Sequence, residues 1–270
     1  MQYDPIKHSL GKVFNRAPWL RKVFYFLLNI LLLRSWYVRR EIRRFARQST
    51  GSKNVLDAGS GFGQYSWFMA RIAPDWTITG IDVKPEQIND CRNFFYRCGL
   101  QNRVNFREAD LVNLPDENAY DLIITIDVME HIAEDAQVFR NFFRAMKKPS
   151  MLLISTPSDK GGSDAHHSND PSFIDEHVRN GYSMEEITEK LRTAGFSRIE
   201  ALYSYGTPGH LAWVLTMKYP VIMLNTSRLF FLVLPFWYIL TILPALLLNL
   251  TDLLTHHHQG TGLIVKAYKE

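Results

Sequence analysis

The stretch "NVLDAGSGFG", residues 54–63, decides how the rest of the chain is read. Asn54 to Ala58 make a short apolar run with one carboxylate near its end, the pattern of a buried strand. Glycines then stand at 59, 61 and 63, where the chain must turn tightly. "QYSWFMARIA" follows with helical spacing and stops before Pro74. A buried strand, a glycine turn and a helix form the opening unit of a parallel sheet.

Outward from there the alternation repeats. "WTITGID" at 76–82 reads as a second strand. "PEQINDCRNFFYRCG" reads as a helix, with Pro85 in its first turn and Gly99 past its end. "RVNFREAD" is a third strand, "YDLIITIDV" a fourth with "AEDAQVFRNFFRAMKK" as its helix, and "SMLLIST" a fifth. "SMEEITEKLRTAGF" opens like a capping box, Ser183 followed three residues on by Glu186. "RIEALYSY" and, much later, "TGLIVKAYK" supply the last two strands. The expected class is α/β, a largely parallel sheet covered on both faces.

Ligands of such sheets bind beyond the carboxyl ends of the strands. A dinucleotide fingerprint would place a third glycine where Gln64 stands. The spacing is instead Asp57-x-Gly59-x-Gly61-x-Gly63, with Ser60 inside the turn. Glycines let a backbone approach a ligand closely. The helix N-terminus that follows favours an anion, and Asp57 offers a carboxylate to an ammonium. Together these suit an amino-acid moiety better than a pyrophosphate. Asp82 ends the second strand, where an acid takes two ribose hydroxyls. Asp110 ends the third, where a carboxylate accepts from an adenine amino group.

"VLDAGSGFGQYS", "GIDVKP", "READLVNLP" and "YDLIITIDVMEHI" resemble, in order and spacing, the successive motifs of class I S-adenosylmethionine-dependent methyltransferases. The likeness runs over about 50–204 and takes in the final strand. The resemblance implies a Rossmann-like, seven-stranded methyltransferase sheet whose last strand is antiparallel. It also implies S-adenosyl-L-methionine as cofactor and a small-molecule acceptor. By that resemblance Asp57, Gly59, Ser60, Gly61 and Gly63 hold the methionine portion and Asp82 the ribose. Val83, Asp110 and Leu111 then hold the adenine, and Asp127 joins the cofactor-binding set.

Transfer of an activated methyl is an in-line displacement, so positioning supplies much of the rate. A base is needed only where the acceptor is a poor nucleophile when protonated. The loops after strands four and five carry His131, His166, His167 and His177. Of these, His177 and His131 are the expected general bases. Asp127, Glu130 and His131 resemble the Glu-x-x-Glu-His metal site of the ubiquinone-biosynthesis O-methyltransferases, with Asp127 in place of the first Glu; no metal is expected here. His256 to His258 read as an exposed loop.

The ends depart from the family's usual pattern. The expected division is 1–50 as a basic amphipathic N-terminal helix and 51–205 as the methyltransferase core. A hydrophobic helical insert then fills 206–260 between strands six and seven, and 261–270 is the last core strand. Residues 1–48 hold eleven Lys and Arg against two acids, so the segment carries +9 and the remainder −5. Such asymmetry points to an anionic partner, here a membrane surface, with no nucleic acid expected. "APWLRKVFYFLLNILLLRSWYVRREIRRFARQ" at 17–48 reads as one long helix. Val38, Ile42 and Phe45 form a stripe on it, and Trp19, Trp36 and Tyr37 flank its greasy part; such a helix lies flat on an anionic membrane or docks on its own domain over the cofactor cleft, and the two are compatible. Leu229 to Leu250 runs 22 residues without a charge. It is long enough to span a bilayer, but the last strand must return to the sheet. The insert is therefore expected as short helices hinged near Pro235 and Pro244, paired with "LAWVLTMKYPVIMLN" as a hairpin or folded as a lid. A 46% hydrophobic fraction excludes a multi-span protein. Cys91 and Cys98 are about 10 Å apart along one helix, too far for a disulfide. The expectation is a cytoplasmic enzyme, peripheral on the inner face of the membrane, acting on a lipophilic acceptor. A soluble homodimer and a non-catalytic membrane-bound scaffold are the alternatives.

Overall fold

The computed structural model describes residues 17–161 and 178–270. Two N-terminal helices, α1 (Pro18–Leu31) and α2 (Leu33–Gln48), precede β1 (Asn54–Ala58) and α3 (Gln64–Ile72). Next come β2 (Thr77–Asp82), α4 (Pro85–Arg97), β3 (Val104–Glu108), β4 (Tyr120–Ile126), α5 (Asp135–Ala145) and β5 (Met146–Pro157). After the undescribed segment follow α6 (Met184–Thr193) and β6 (Arg198–Ser204). The insert holds α7 (Thr207–Trp213), α8 (Tyr219–Thr226) and α9 (Leu234–Leu254), and β7 (Gly262–Lys269) closes the chain.

The seven strands lie in the order β3-β2-β1-β4-β5-β7-β6. β1 to β5 pair in parallel, and β7 runs antiparallel between β5 and β6. The chain leaves β1 to one side for β2 and β3 and later returns to the other side for β4. The crevice over the carboxyl ends of β1 and β4 is thus the switch point where such sheets bind ligands. Val55, Leu56 and Ala58 are fully buried because helices cover both faces. On one face Val55, Ile78, Phe95 and Leu122 pack with Val38 and Ile42 of α2. On the other, Leu56, Ile123, Phe139 and Phe142 pack with Ile187 of α6. Ser183 caps α6 as its spacing predicts, its hydroxyl accepting from the Glu186 amide, while the Glu186 carboxylate turns to Lys190 at 3.0 Å.

The N-terminal segment is not one long helix. It breaks at Leu32, whose backbone is extended at φ −97° and ψ 109°. The break lets Leu33, Val38 and Ile42 turn onto the sheet, where all three are buried. Of the two expected placements of the stripe, the structure shows docking on the protein's own core, where Phe45 packs edge-on against Trp76 at 5.7 Å. Tyr37, expected at an interface, is also buried. Trp19 is the flanking aromatic that stays exposed.

The insert is a helical hairpin. Trp237 Nε1 donates to the Leu215 carbonyl (2.9 Å) and the Tyr238 hydroxyl to that of Thr216 (2.8 Å), which lays α9 beside the earlier arm. Pro235 stands in the first turn of α9, but no break occurs at Pro244: the helix is continuous for 21 residues, about 30 Å. The proline's missing amide costs one bond to Leu240, on the open side of the helix. α9 is long and apolar enough to cross a membrane, yet every residue of β7 after it pairs within the sheet.

One face of α9 is buried through Ala245, Asn249 and Asp252. Asp252 is fully buried. Its carboxylate accepts from the Tyr37 hydroxyl (2.8 Å) and the Gly209 amide (2.9 Å), and the His257 ring lies 3.2 Å away. His257 is consequently not in an exposed loop; its side chain is only 8% accessible. The opposite face of α9 shows Phe236, Ile239, Leu240, Leu243, Leu247, Leu250 and Leu254 to solvent. On α1, Trp19, Val23, Phe26 and Leu27 do the same.

Candidate active site

The glycine turn hangs from β2. The amides of Gly59 and Ser60 both donate to the Ile81 carbonyl, at 2.9 and 2.8 Å. Gly59, Gly61 and Gly63 all have positive φ, but for different reasons. A Cβ on Gly59 would lie 2.3 Å from Val128 Cγ2, and one on Gly63 3.1 Å from the Phe95 ring. Those two positions are closed by packing. A Cβ on Gly61 would meet only Gln87 Oε1, at 3.9 Å, so this is where the backbone lies open to the crevice. Ser60 Oγ and, on β4, Thr125 Oγ1 are buried side-chain oxygens that meet no hydrogen-bond partner among the described residues. An open backbone and unanswered polar atoms fit a polar ligand such as the cofactor's methionine portion.

Asp57 is buried beneath the turn. Its Oδ2 accepts from the Ser66 amide (3.1 Å) and hydroxyl (2.6 Å). One amide of the first turn of α3 is thus already taken by Asp57. Burial lifts the Asp57 carboxyl to about 6, against the lowering effect of both Ser66 bonds. Asp82 is held by both oxygens, Oδ2 accepting from the Gly61 amide and Oδ1 from that of Lys84, each at 3.0 Å. These two bonds fix its carboxylate, whose remaining lone pairs suit vicinal hydroxyls. Val83 beside it is 59% exposed, an apolar platform for a flat ring. Asp110 caps the short turn Leu111–Asn113, accepting from the Val112 amide at 2.9 Å. Leu111 is buried behind it.

The N-terminal helices roof this crevice through residues that sequence reasoning missed. Arg21 is 2% exposed and donates to the carbonyls of Phe62 (2.7 Å) and Asp90 (3.0 Å) and to the Tyr25 hydroxyl (2.8 Å). Tyr25 donates in turn to the same Phe62 carbonyl. Gln64 reaches Asn29 Oδ1 (2.9 Å) and Ser35 Oγ (3.1 Å). The one polar residue in the apolar run of α1, Asn29, was the available signal. Arg34 pairs with Asp127, and its amide donates to the Tyr205 hydroxyl at 3.1 Å. Asp127 and Tyr205 sit at φ +52° and +55°. Left-handed backbone at non-glycine residues costs energy and concentrates where function over-determines it.

Of the expected bases, His131 lies exposed in the short turn Met129–His131 after β4. His166, His167 and His177 lie outside the described residues. Glu130, next to His131, is 1% exposed; Thr156 Oγ1 donates to it at 3.2 Å, and burial pushes its carboxyl above the ordinary range. Among the described residues no group of three or more His, Cys, Asp or Glu is arranged to hold a metal.

A family described as a methyltransferase domain matches residues 49–196. A Mycolicibacterium smegmatis protein named "Probable S-adenosylmethionine-dependent methyltransferase" is 29% identical over 164 residues, which is 60% of this chain and 59% of that one. Phosphoethanolamine N-methyltransferase 3 of Arabidopsis thaliana is 29% identical over 161 residues, 55% of this chain and 30% of that one. The chain thus covers less than two thirds of the length of either relative. Among solved structures, Haemonchus contortus phosphoethanolamine N-methyltransferase 2, in complex with S-adenosyl-L-methionine, superposes with a TM-score of 0.61. It is 18% identical, over 87% of this chain and 52% of that one. That likeness is one of fold. With the sheet order, the glycine turn and the matched domain in agreement, the chain belongs to the class I S-adenosylmethionine-dependent methyltransferase family.

Proposed function

We propose that the protein transfers a methyl group from S-adenosyl-L-methionine to a lipophilic small molecule at an anionic membrane surface, on the cytoplasmic side. The acceptor is an aromatic or quinone-like hydroxyl, an aryl ring or a lipid headgroup. The observation that carries the reading is the aliphatic face of α9, exposed from Phe236 to Leu254. Contiguous apolar surface of this extent marks a protein or membrane contact. α1, which roofs the crevice, bears a second exposed stripe.

When bound, the cofactor supplies a methyl already activated for displacement. The chain's own part is to hold both reactants. Asp57 takes the ammonium, and the turn from Gly59 through Ser60 and Gly61 to Gly63 flanks the methionine portion. Asp82 accepts from the ribose hydroxyls, and Val83, Asp110 and Leu111 sandwich the adenine. Asp127 borders the reacting end, where Arg34 holds it. His131 is the described candidate for a base.

The test is labelled methyl transfer from S-adenosylmethionine into a total lipid extract presented in vesicles, with product identified by mass spectrometry. Label in the organic phase supports the reading; label confined to water-soluble products refutes the lipophilic acceptor. An exposed face would also serve a second copy of the chain, so light scattering without lipid accompanies the assay. A stable dimer that ignores vesicles would transfer the function of α9 to self-association.

A further inference from the structure

α2 carries five arginines along one groove. Arg39, Arg40, Arg43, Arg44 and Arg47 line it together with Asn29, Trp36 and Leu253 of α9, around a volume of about 540 Å³. Their charges are unevenly answered. Glu41 is 1% exposed and serves Arg40 (3.0 Å) and Arg44 (2.7 Å), and also Lys266 at 3.3 Å. Among the described residues, Arg39, Arg43 and Arg47 meet no carboxylate. Arg39 and Arg43 are stacked over the same Phe68 ring, at 4.4 and 5.0 Å from its centroid. Arg39 Nε is buried with no acceptor among the described residues. Burial, and the Arg43 charge beside it, pull the Arg39 guanidinium below its ordinary range.

Holding like charges together over one ring, with a buried donor unanswered, costs free energy unless an anion closes the arrangement. Planar guanidinium forks match the oxygens of phosphate, which accept two bonds from each fork. Three arginines without carboxylates call for more than one negative charge. A phosphomonoester brings up to two charges and three free oxygens, where a phosphodiester brings one charge shielded by two substituents. The groove's apolar side decides between a soluble phosphate and a lipid. Leu253 of α9 lines it, and Leu250 and Leu254 of the same helix are 43% and 76% exposed, continuing that helix's aliphatic face.

We propose that the arginine groove of α2 binds the phosphomonoester headgroup of an anionic lipid whose chains lie along α9. This rests on the membrane-surface reading above but asks for more, namely recognition by fork geometry and not by net charge alone.

The experiment compares phosphatidylcholine vesicles doped with phosphatidic acid or with phosphatidylglycerol, matched in measured surface charge. The unmodified protein is expected to bind the phosphatidic acid vesicles about tenfold more tightly. The variant R39K/R43K/R47K keeps every charge and loses the three forks that meet no carboxylate among the described residues. It is expected to lose the preference while still binding phosphatidylglycerol vesicles. R47K alone, at an exposed position, gives a second reading with no risk to folding, and thermal midpoints verify both variants. Equal binding to the two anionic vesicles, or a preference that survives the lysine variant, overturns the groove and leaves the membrane reading standing. Binding to no vesicle overturns both. Inorganic phosphate that binds the protein as tightly as the phosphatidic acid vesicles do overturns the lipid assignment. So does a single-stranded RNA that displaces those vesicles at lower concentration.

Discussion

Changing Phe236, Ile239, Leu240 and Leu243 together to glutamine separates membrane affinity from folding. These four side chains are 69, 70, 74 and 69% exposed. Full burial of such a side chain is worth about 1.5–3 kcal/mol. With about seven tenths of each surface still available, entry into the acyl boundary is worth roughly 1–2 kcal/mol per residue. The four together should contribute at least about 4 kcal/mol, a factor on the order of 10³ in vesicle partitioning. Glutamine matches leucine in helix propensity, and exposed substitutions change stability by about 0.5 kcal/mol or less each. The assay pairs sedimentation with sucrose-loaded vesicles and thermal unfolding of the lipid-free protein. Partitioning should collapse while the unfolding midpoint moves by a few degrees at most. Unchanged sedimentation would refute the argument. So would stability losses of about 2–5 kcal/mol per site, because that is the cost of emptying a buried position and would place the stripe against a second copy.

Asp82→Ala removes a carboxylate oriented by the Gly61 and Lys84 amides. Each lost charge-assisted bond to the ribose should weaken cofactor binding by about 1.5–3 kcal/mol, measured by calorimetry; unchanged affinity would sink the assignment. Burial lifts Asp57 to about 6 from its ordinary 3.8, and two signs follow. The folded protein without cofactor binds this proton more tightly than the unfolded chain, so its stability contribution falls as pH rises from about 3.8 to about 6. A cofactor ammonium needs the ionised form, so affinity should rise with pH up to about 6 and level off above it; a flat binding profile across that range excludes Asp57 as the ammonium's partner. Arg21→Ala takes the buried donor from the Asp90 carbonyl and the Tyr25 hydroxyl and leaves the Phe62 carbonyl with Tyr25 alone. A loss of about 1–3 kcal/mol for each buried group left unsatisfied is expected, with faster proteolysis within 17–48; a resistant, equally stable variant would show that this roof is not held by Arg21.

What could be read from the sequence was what repeats or sits next to its cause. Strands announce themselves by short apolar runs, the Ser183 cap by its spacing to Glu186, the glycine turn by its neighbours. The break at Leu32 could not be read, because leucine is a strong helix former and nothing local opposes continuation. It is imposed by the sheet that buries Leu33, Val38 and Ile42. Pro244 misled in the opposite sense: locally it breaks helices, yet one missing bond on an open face is outweighed by the burial of Ala245, Asn249 and Asp252 around it. The roof contacts of Arg21, Arg34 and Gln64 join segments tens of residues apart, and a polar pair at such distance leaves no period to detect. Gly61 and Gly63 look equivalent in the motif; only the packed structure distinguishes the one facing the crevice from the one pressed against Phe95.

Asp252 makes the family-atypical parts of the chain a single lever. Through one carboxylate it grips α2 by Tyr37, α7 by Gly209 and the segment before β7 by His257. α2 is also the element whose first residues reach Asp127 and Tyr205 at the crevice. A displacement of α9 therefore cannot stop at α9. It is passed to the roof over the cofactor. Whatever factor docking of α9 imposes on cofactor affinity, the bound cofactor must return to docking, since linkage between two sites is reciprocal. On the proposed docking of α9, membrane occupancy and cofactor occupancy become two readings of one equilibrium, joined through the Asp252 carboxylate and through the Asp252 and Leu253 carbonyls that Tyr37 and Arg40 reach.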